Sequence, residues 1–237
     1  MIHKTISATV RHPVPDRKFR LARCWSNREL RRFAPLFVGA VVNVSAGTDE
    51  DKEGAYYADY FSAAASYDLT NYAPGSFRGF SGRPNEYLLD LEAGVGDELR
   101  QRYDVAFNHT TLEHIFDVPR AFANLCAVTR DILILVVPFA QVQHENDAYR
   151  DYWRFTPTCI RRLCEQHQLT VIYESANSDC NAATYLFVVA SRKPQEWINK
   201  IPVGQSLERV GDWIGDRSCR LPNLWVWLSN FLGLRVR

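Results

Sequence analysis

The stretch Tyr103–Ile115, with the sequence YDVAFNHTTLEHI, joins a short apolar strand pattern to a polar turn and the start of a helix. In an open α/β sheet, the ligand lies in a crevice beyond the carboxyl ends of the strands. The polar residues Asn108 and His109 follow the apolar part of this stretch. They are therefore expected to face a bound molecule.

Other apolar runs predict the rest of the same sheet. The mostly β-branched run 36–44 predicts a first strand that enters a turn at Gly47. The uninterrupted run 132–139 predicts a central strand that is covered on both faces. Asp68 and Asp90 are expected to lie at the tips of the second and third strands.

The end of the domain is predicted from helix starts and from one short connection. Asp117 and the pair Thr156-Pro157 are typical of helix N-termini. Two closing strands are predicted at 169–173 and 184–190. The short connection between them favours an antiparallel pair, because a parallel pair needs a crossover of about a dozen residues or more.

Composition narrows the class of protein. A chain of 237 residues with 46% hydrophobic content can bury a sizeable core, most simply as one α/β domain with additions at its ends. The formal net charge of +1 gives no reason to expect nucleic acid as a partner. The six cysteines show no paired metal-ligand spacing, which fits a reducing cytosol. No apolar run approaches the roughly 20 residues of a membrane span, so we expect a cytoplasmic protein that is soluble or peripheral.

The chain is expected to have three parts. A basic N-terminal extension covers 1–35, the α/β domain covers 36–192, and a tryptophan-rich C-terminal extension covers 193–237. The basic cluster in 1–35 is interpreted as a solvated helix face rather than a phosphate site. The apolar segment 221–237 fits either the inner face of a membrane or a contact with its own domain or a second subunit.

Two strings resemble motifs of a known family. Leu112-Glu113-His114 is similar to the Leu-Glu-His motif of class I S-adenosylmethionine-dependent methyltransferases, and the segment 144–157, HENDAYRDYWRFTP, resembles a string of their surface-glycan biosynthesis branch. The resemblance covers about 36–192. It implies a Rossmann-like, mostly parallel seven-stranded sheet with one late antiparallel strand and helices on both faces. It also implies S-adenosylmethionine as the cofactor.

The resemblance assigns the turn after the first strand to the methionine part of the cofactor. Asn43 takes the position at which the family has an acidic residue. Ser45 and Asp49 take positions at which it usually has glycine, and only Gly47 keeps its type. Asp49 would repel the cofactor carboxylate if its side chain pointed inward.

Four further positions are candidates for cofactor binding. Asp68 is expected to accept both ribose hydroxyls, because a carboxylate after the second strand suits that role. Asp90 and Leu91 are expected near the adenine, and Asn108 and His109 near the methionine part or the acceptor. The alternative interpretation is that Asp68 and Asp90 simply end a strand or cap a helix.

The acceptor side is assigned to the segment 144–157. His144 is predicted to be the catalytic base that takes a proton from a sugar hydroxyl, because neutral imidazole is a competent base near pH 7. The residues predicted to bind the substrate are His114, Tyr152, Trp153 and Arg154. The alternative makes Trp153 and Phe155 core anchors, makes Arg154 a structural ion-pair partner, and gives Glu113 and His114 structural roles.

No metal site is predicted, because the histidines and cysteines lack a recognised ligand spacing, although Glu113, His114 and His144 can in principle meet. The preferred hypothesis is O-methylation of a glycan or of a nucleotide- or lipid-linked sugar in surface polysaccharide biosynthesis. The alternative is a catalytically degenerate methyltransferase-like protein that acts as a binding or regulatory partner.

Overall fold

The structure is a computed structural model that describes residues 20–178, 182–205 and 207. Its longer helices are α1 (Arg20–Phe33), α2 (Val118–Val128) and α3 (Pro157–Gln166). Its strands are β1 (Ala40–Val44), β2 (Ser66–Asn71), β3 (Glu86–Leu88), β4 (Tyr103–His109), β5 (Thr129–Ala140), β6 (Thr170–Ala176) and β7 (Thr184–Ser191). Short 3₁₀ turns occupy Ala34–Leu36, Tyr57–Tyr60, Leu112–His114 and Pro194–Glu196.

The strands form one seven-stranded sheet in the order β3-β2-β1-β4-β5-β7-β6. The first five strands pair in parallel, and β7 pairs antiparallel with both β5 and β6. The predicted sheet with one late antiparallel strand is confirmed. The strand order reverses at β1, which lies between β2 and β4, so the ligand crevice of such a sheet is expected beyond the ends of β1 and β4.

Strand β5 is buried on both faces and separates two apolar layers. Leu133, Leu135 and Val137 pack in the layer that contains the apolar faces of α2 and α3. The alternate side chains of the same strand pack in the layer that contains α1. This alternation explains the uninterrupted apolar run of the sequence, because a central strand of an α/β sheet presents no face to water.

Helix α1 belongs to this packing. Ala22, Leu30 and Phe33 are buried, and the Phe33 ring lies 4.5 Å from the Tyr173 ring and 5.6 Å from the Phe187 ring, measured between centroids. The residues 20–33 of the predicted extension therefore cover one face of the sheet. The interpretation of the basic cluster as a solvated helix face is wrong for Arg23, which points into the protein.

Both predicted helix starts are confirmed. Asp117 accepts a hydrogen bond of 3.2 Å from the backbone N–H of Arg120, and Thr156 accepts one of 3.1 Å from the backbone N–H of Cys159. A side-chain oxygen at the N-cap satisfies one of the backbone donors that a helix leaves open at its start.

The second and third strands differ from their predicted bounds. Strand β2 continues past Asp68 to Asn71, so the prediction that Asp68 forms its tip is wrong. Strand β3 ends at Leu88, two residues before Asp90. Within the described part of the chain, no helix is long and apolar enough to cross a membrane. The tryptophan-rich segment 221–237 lies outside the described residues.

Candidate functional site

The turn after β1 keeps a glycine-type backbone although it contains a single glycine. Ser45, Gly47 and Asp49 have φ angles of 58°, 60° and 68°. Residues other than glycine rarely adopt this left-handed backbone conformation, because their β-carbon crowds the backbone. The fold therefore imposes the same turn on Ser45 and Asp49 that glycine adopts more easily.

Hydrogen bonds hold the Asp49 carboxylate on the interior side of this turn. Asp49 Oδ1 accepts 2.7 Å and 2.8 Å bonds from the Asn43 amide and the Tyr67 hydroxyl, and Oδ2 accepts a 3.0 Å bond from the backbone of Ala58. Burial raises the pKa of Asp49. These bonds turn the Asp49 side chain into the fold, and Asp49 does not line the cavity described below, so the condition under which it would repel a cofactor carboxylate is not met.

Asn71, at the end of β2, fixes the middle of the turn. Its side chain accepts a 2.7 Å hydrogen bond from the Gly47 N–H and donates a 3.1 Å bond to the Gly47 carbonyl oxygen. A β-carbon at Gly47 would come within 3.2 Å of the Arg78 side chain. Both its φ angle and the close Arg78 side chain therefore favour glycine at position 47.

The carboxyl ends of the parallel strands open on a cavity of about 960 Å³. Its lining includes most of the residues that the sequence analysis singled out: Asn43, Ser45, Gly47, Asp90, Leu91, His109, His114 and His144. It also includes residues that the sequence analysis did not assign to a site, among them Arg23, Tyr57, Asn71, Glu113, Tyr149 and Tyr185. The structure thus brings the predicted cofactor and acceptor segments to one place.

Asp68 is not part of this cavity. Its Oδ2 atom accepts hydrogen bonds of 3.3 Å from the Arg102 guanidinium and 3.0 Å from the Tyr103 hydroxyl. Tyr103 begins β4, whereas the cavity lies at the far end of that strand, beside His109. The structure therefore corrects the assignment of Asp68 to the ribose, because its carboxylate stabilises the opposite end of the sheet.

Asp90 and Leu91 line the cavity just after β3. The Asp90 carboxylate accepts a 2.8 Å hydrogen bond from the backbone N–H of Glu92, so it stabilises its own turn while remaining half-buried. Leu91 is buried and offers an apolar wall. Both the adenine role and the capping role are compatible with this position.

Asn108 and His109 are the last two residues of β4, and their side chains have different environments. Asn108 is fully buried and donates a 2.9 Å hydrogen bond to the carbonyl oxygen of Val44, so it links β4 to β1 without lining the cavity. The predicted contact of Asn108 with a ligand is corrected accordingly. His109 faces the cavity, and burial together with nearby Arg23 lowers its pKa well below the usual range.

Arg23 brings a positive charge from α1 to the end of β4. Its guanidinium donates hydrogen bonds of 3.1 Å to the Thr110 hydroxyl and 3.2 Å to the Tyr57 hydroxyl, and it lies 3.3 Å from His109 Nδ1. Among the described residues, no carboxylate pairs with it. This residue was missed because its role depends on how α1 packs, which local sequence does not show.

Glu113, His114 and His144 form a cluster in the wall of the cavity. One ligand atom from each residue lies within 4.8 Å of the others, and the two histidine rings are 5.0 Å apart between centroids. His114 Nδ1 lies 2.6 Å from the Arg150 carbonyl oxygen. Burial lowers the pKa of both His114 and His144, so both imidazoles are neutral near pH 7.

Glu113 is the least satisfied member of the cluster. Its side chain is 1% exposed, and neither carboxylate oxygen accepts a hydrogen bond from any residue that the structure describes. Burial raises its pKa to about 8. The backbone N–H of Glu113 acts on this carboxyl group and lowers the pKa, but burial outweighs it and the contact lacks normal hydrogen-bond geometry.

Asp151 contacts both the backbone and the ring of His144. Its Oδ2 atom accepts a 2.8 Å hydrogen bond from the His144 backbone N–H and lies 3.4 Å from His144 Nδ1. Arg154 forms two bonds to the same carboxylate, of 2.6 Å and 2.7 Å. Arg154 therefore acts as an ion-pair partner of Asp151, which matches the structural alternative rather than substrate binding.

Tyr152 and Trp153 lie outside the cavity lining. They are 47% and 40% exposed, and their rings pack against the exposed ring of Phe116. The structure does not bring them to the cavity, because both side chains are exposed at the surface. Phe155 is buried in the core, as the structural alternative expected, whereas Trp153 is not.

Comparisons with known proteins identify solved structures with a similar fold, but no sequence family. No family model matches the chain, and no curated protein sequence matches it. Magnesium protoporphyrin IX methyltransferase from Synechocystis PCC 6803, solved with bound S-adenosylmethionine, is 12% identical over 72% of this chain and 79% of its own, with a TM-score of 0.50. A Listeria monocytogenes protein with a proposed S-adenosylmethionine-dependent methyltransferase activity is 10% identical over 71% of this chain and 98% of its own, also at 0.50.

These likenesses, at low identity, concern the fold. The seven-stranded, mostly parallel sheet with one antiparallel strand is the Rossmann-like fold of class I methyltransferases. The predicted fold class is therefore confirmed.

Proposed function

We propose that this protein is an S-adenosylmethionine-dependent methyltransferase. The observation that carries the proposal is the turn after β1, which keeps left-handed backbone at Ser45, Gly47 and Asp49 and lies at the mouth of the cavity. Strained backbone of this kind clusters at functional sites. Here it lies beside the cavity, unlike the left-handed residues Gln101 and Gln168, which do not line it.

The residues around the cavity fit the cofactor. Gly47 leaves the turn without a β-carbon at a point where one would lie within a tight 3.2 Å of the Arg78 side chain. Arg23 offers a guanidinium to the cofactor carboxylate, and Leu91 offers an apolar wall to the adenine, with Asp90 beside it. Bound there, the cofactor supplies an electrophilic methyl group on a positively charged sulfur.

We propose a hydroxyl group as the methyl acceptor, activated at the cluster that contains His144. The His144 ring is neutral near pH 7 and Asp151 fixes its position, which are the properties of a general base. The main task of the other residues is to align the oxygen with the methyl group and to exclude water.

The acceptor class rests on the resemblance of 144–157 to the glycan-biosynthesis branch. We therefore propose a sugar, either in a glycan or linked to a nucleotide or lipid, in surface polysaccharide biosynthesis. Tyr149 and Arg150 of this segment line the cavity and offer a ring and a charge to such an acceptor. A role at the membrane surface would fall to 221–237, outside the described residues.

The proposal is tested by acceptor-dependent release of S-adenosylhomocysteine, followed by mass spectrometry with a panel of nucleotide sugars and lipid-linked sugars. We expect one acceptor class to gain a single methyl group and to lose it in His144→Ala, while cofactor affinity in that variant stays unchanged. Cofactor binding without transfer to any acceptor would favour the degenerate, regulatory alternative.

A further inference from the structure

The cluster of Glu113, His114 and His144 has the composition of a metal site rather than of a hydrogen-bond network. Two imidazoles and one carboxylate place a ligand atom each within 4.8 Å of one another. The same three ligand types hold zinc in catalytic sites that keep one position open. The cluster faces the cavity, so an open position here would point to the acceptor.

The Glu113 carboxylate provides a second, independent observation. It is 1% exposed, lines the cavity, and neither oxygen accepts a hydrogen bond of normal geometry within the described chain. A buried carboxyl group without a partner costs free energy, and such groups are rare in folded proteins. A cation bound between Glu113 and the two histidines would satisfy it.

The surroundings of the two histidines point the same way. Histidines that bind a metal usually direct the other ring nitrogen to a carbonyl or carboxylate oxygen. His114 Nδ1 lies 2.6 Å from the Arg150 carbonyl oxygen, which leaves His114 Nε2 facing Glu113 at 3.8 Å from Oε1. His144 Nδ1 lies 3.4 Å from the Asp151 carboxylate and 3.3 Å from the side-chain amide nitrogen of Gln141.

The backbone fixes the cluster on two chain segments. The Glu113 carbonyl oxygen accepts hydrogen bonds of 2.8 Å and 3.3 Å from the backbone N–H groups of Tyr152 and Trp153. The 3₁₀ turn that carries Glu113 and His114 is thereby joined to the loop that follows His144. Such support keeps ligand positions fixed before a metal arrives.

We propose that Glu113, His114 and His144 bind one divalent transition-metal ion on the acceptor side of the cavity. The mixed nitrogen and oxygen ligands favour ions such as Zn²⁺ over Mg²⁺ and Ca²⁺, which prefer oxygen ligands alone. The sequence analysis predicted no metal site because no ligand spacing was recognised, although these three residues could in principle meet. Their two segments come together only in the folded chain.

The consequence for the reaction rests on the proposed function. An acceptor hydroxyl at the open position would lose its proton to solvent more easily, because a bound divalent cation stabilises the alkoxide. The oxygen would then form a bond to the methyl carbon while the carbon–sulfur bond breaks and S-adenosylhomocysteine leaves. This ligand role replaces the general-base role proposed above for His144. Because either role makes His144→Ala inactive, Zn²⁺ binding rather than turnover separates the two.

The site is tested by titrating metal-free protein with Zn²⁺ in a calorimeter, with Mg²⁺ as the comparison ion and Co²⁺ absorption as a spectroscopic readout. We expect one equivalent of Zn²⁺ to bind, with a Co²⁺ spectrum that changes in Glu113→Gln and His144→Asn. Each substitution is expected to weaken binding by more than about tenfold, because loss of even a supporting residue costs about 10- to 100-fold. Glu113→Gln preserves the shape of the buried side chain.

His167→Asn is the matched control, because this histidine lies at the end of α3 and does not line the cavity. It should leave Zn²⁺ affinity unchanged. Equal affinity in the wild type, Glu113→Gln and His144→Asn would overturn the proposal, as would the absence of stoichiometric binding. S-adenosylhomocysteine binding is measured on the same samples, so a failed metal site is distinguished from a failed cofactor site.

Discussion

The Asn43 amide donates a 2.7 Å hydrogen bond to the Asp49 carboxylate and joins two positions at which this chain departs from the methyltransferase pattern. Asn43 stands where the resembling family has an acid, and Asp49 stands where it usually has glycine. The carboxylate therefore comes from the turn, and the amide on the strand donates to it. The two departures from the family pattern therefore compensate each other, because the amide of Asn43 supplies the donor that the carboxylate of Asp49 needs.

Asn43→Asp should destabilise the protein at neutral pH. The substitution replaces a donor with a second carboxylate beside a buried one, and loss of a hydrogen bond to a charged group costs about 1.5–3 kcal/mol. One of the two carboxyl groups would then titrate at a raised pKa, so part of the loss should return as the pH falls toward 5. Urea unfolding at both pH values measures this, and an undiminished free energy of unfolding at pH 7 would contradict the coupling.

Gly47→Ala should weaken cofactor binding beyond its effect on stability. Gly47 has a φ of 60°, and a β-carbon there would come within 3.2 Å of Arg78. Gly75→Ala is the matched control, because Gly75 has a φ of 77°, meets no atom within 4 Å and does not line the cavity.

Both variants should lose roughly 1 kcal/mol of stability from backbone strain. Only Gly47→Ala should also lower the affinity for S-adenosylhomocysteine, by about tenfold or more, which corresponds to about 1.4 kcal/mol. Equal affinities of the two variants in a calorimetric titration would show that the turn after β1 does not contact the cofactor.

The substitutions Asp90→Asn and Asp68→Asn distinguish a residue that lines the cavity from one that stabilises the far end of the sheet. Asp90 lines the cavity, so its substitution should lower the affinity for S-adenosylmethionine by about tenfold, the effect of losing one charge-assisted contact. Asp68 binds Arg102 and Tyr103 instead. Its substitution should reduce thermal stability while leaving cofactor affinity unchanged, and a weakened affinity would restore the ribose assignment.

Glu86→Gln should lower stability in a pH-dependent way. Burial alone would raise the pKa of Glu86, but hydrogen bonds from Arg83, Asn71 and Ser81 outweigh it and hold the pKa well below the usual range. A carboxyl group with a lowered pKa in the folded state stabilises the protein above its unfolded pKa of about 4.3, and this contribution is lost as the pH falls.

The difference in unfolding free energy between wild type and Glu86→Gln should therefore be largest near pH 7 and shrink as the pH falls below about 4. Glu165→Gln, at an exposed position on α3, is the control and should show no such trend. A pH-independent difference between wild type and Glu86→Gln would show that the charge of Glu86 does not stabilise the contact between β3 and β2.

The sequence was sufficient for the sheet and for part of the site. The apolar run 132–139 and the cap at Thr156 depend on local patterns, and both predictions were confirmed by the structure. Placing His109, His114 and His144 beside one cavity followed from their positions after strands, where open sheets bind ligands.

Local sequence patterns were insufficient where packing between distant segments determines the position of a residue. Asp68 was placed at the tip of a short second strand, yet β2 continues through three more residues that pair with β1 or β3. Arg23 reaches the cavity only because α1 packs on the sheet. The sequence of 152–153 does not show which side of the loop faces the acceptor, and the two aromatic rings face outward.

Calorimetric titration of the purified protein with S-adenosylmethionine and with S-adenosylhomocysteine tests the central claim most directly. The account predicts that both bind at micromolar concentration, because the turn after β1 keeps the required backbone without glycine at Ser45 and Asp49. Absence of binding of either compound at millimolar concentration would contradict the assignment of this cavity to the cofactor.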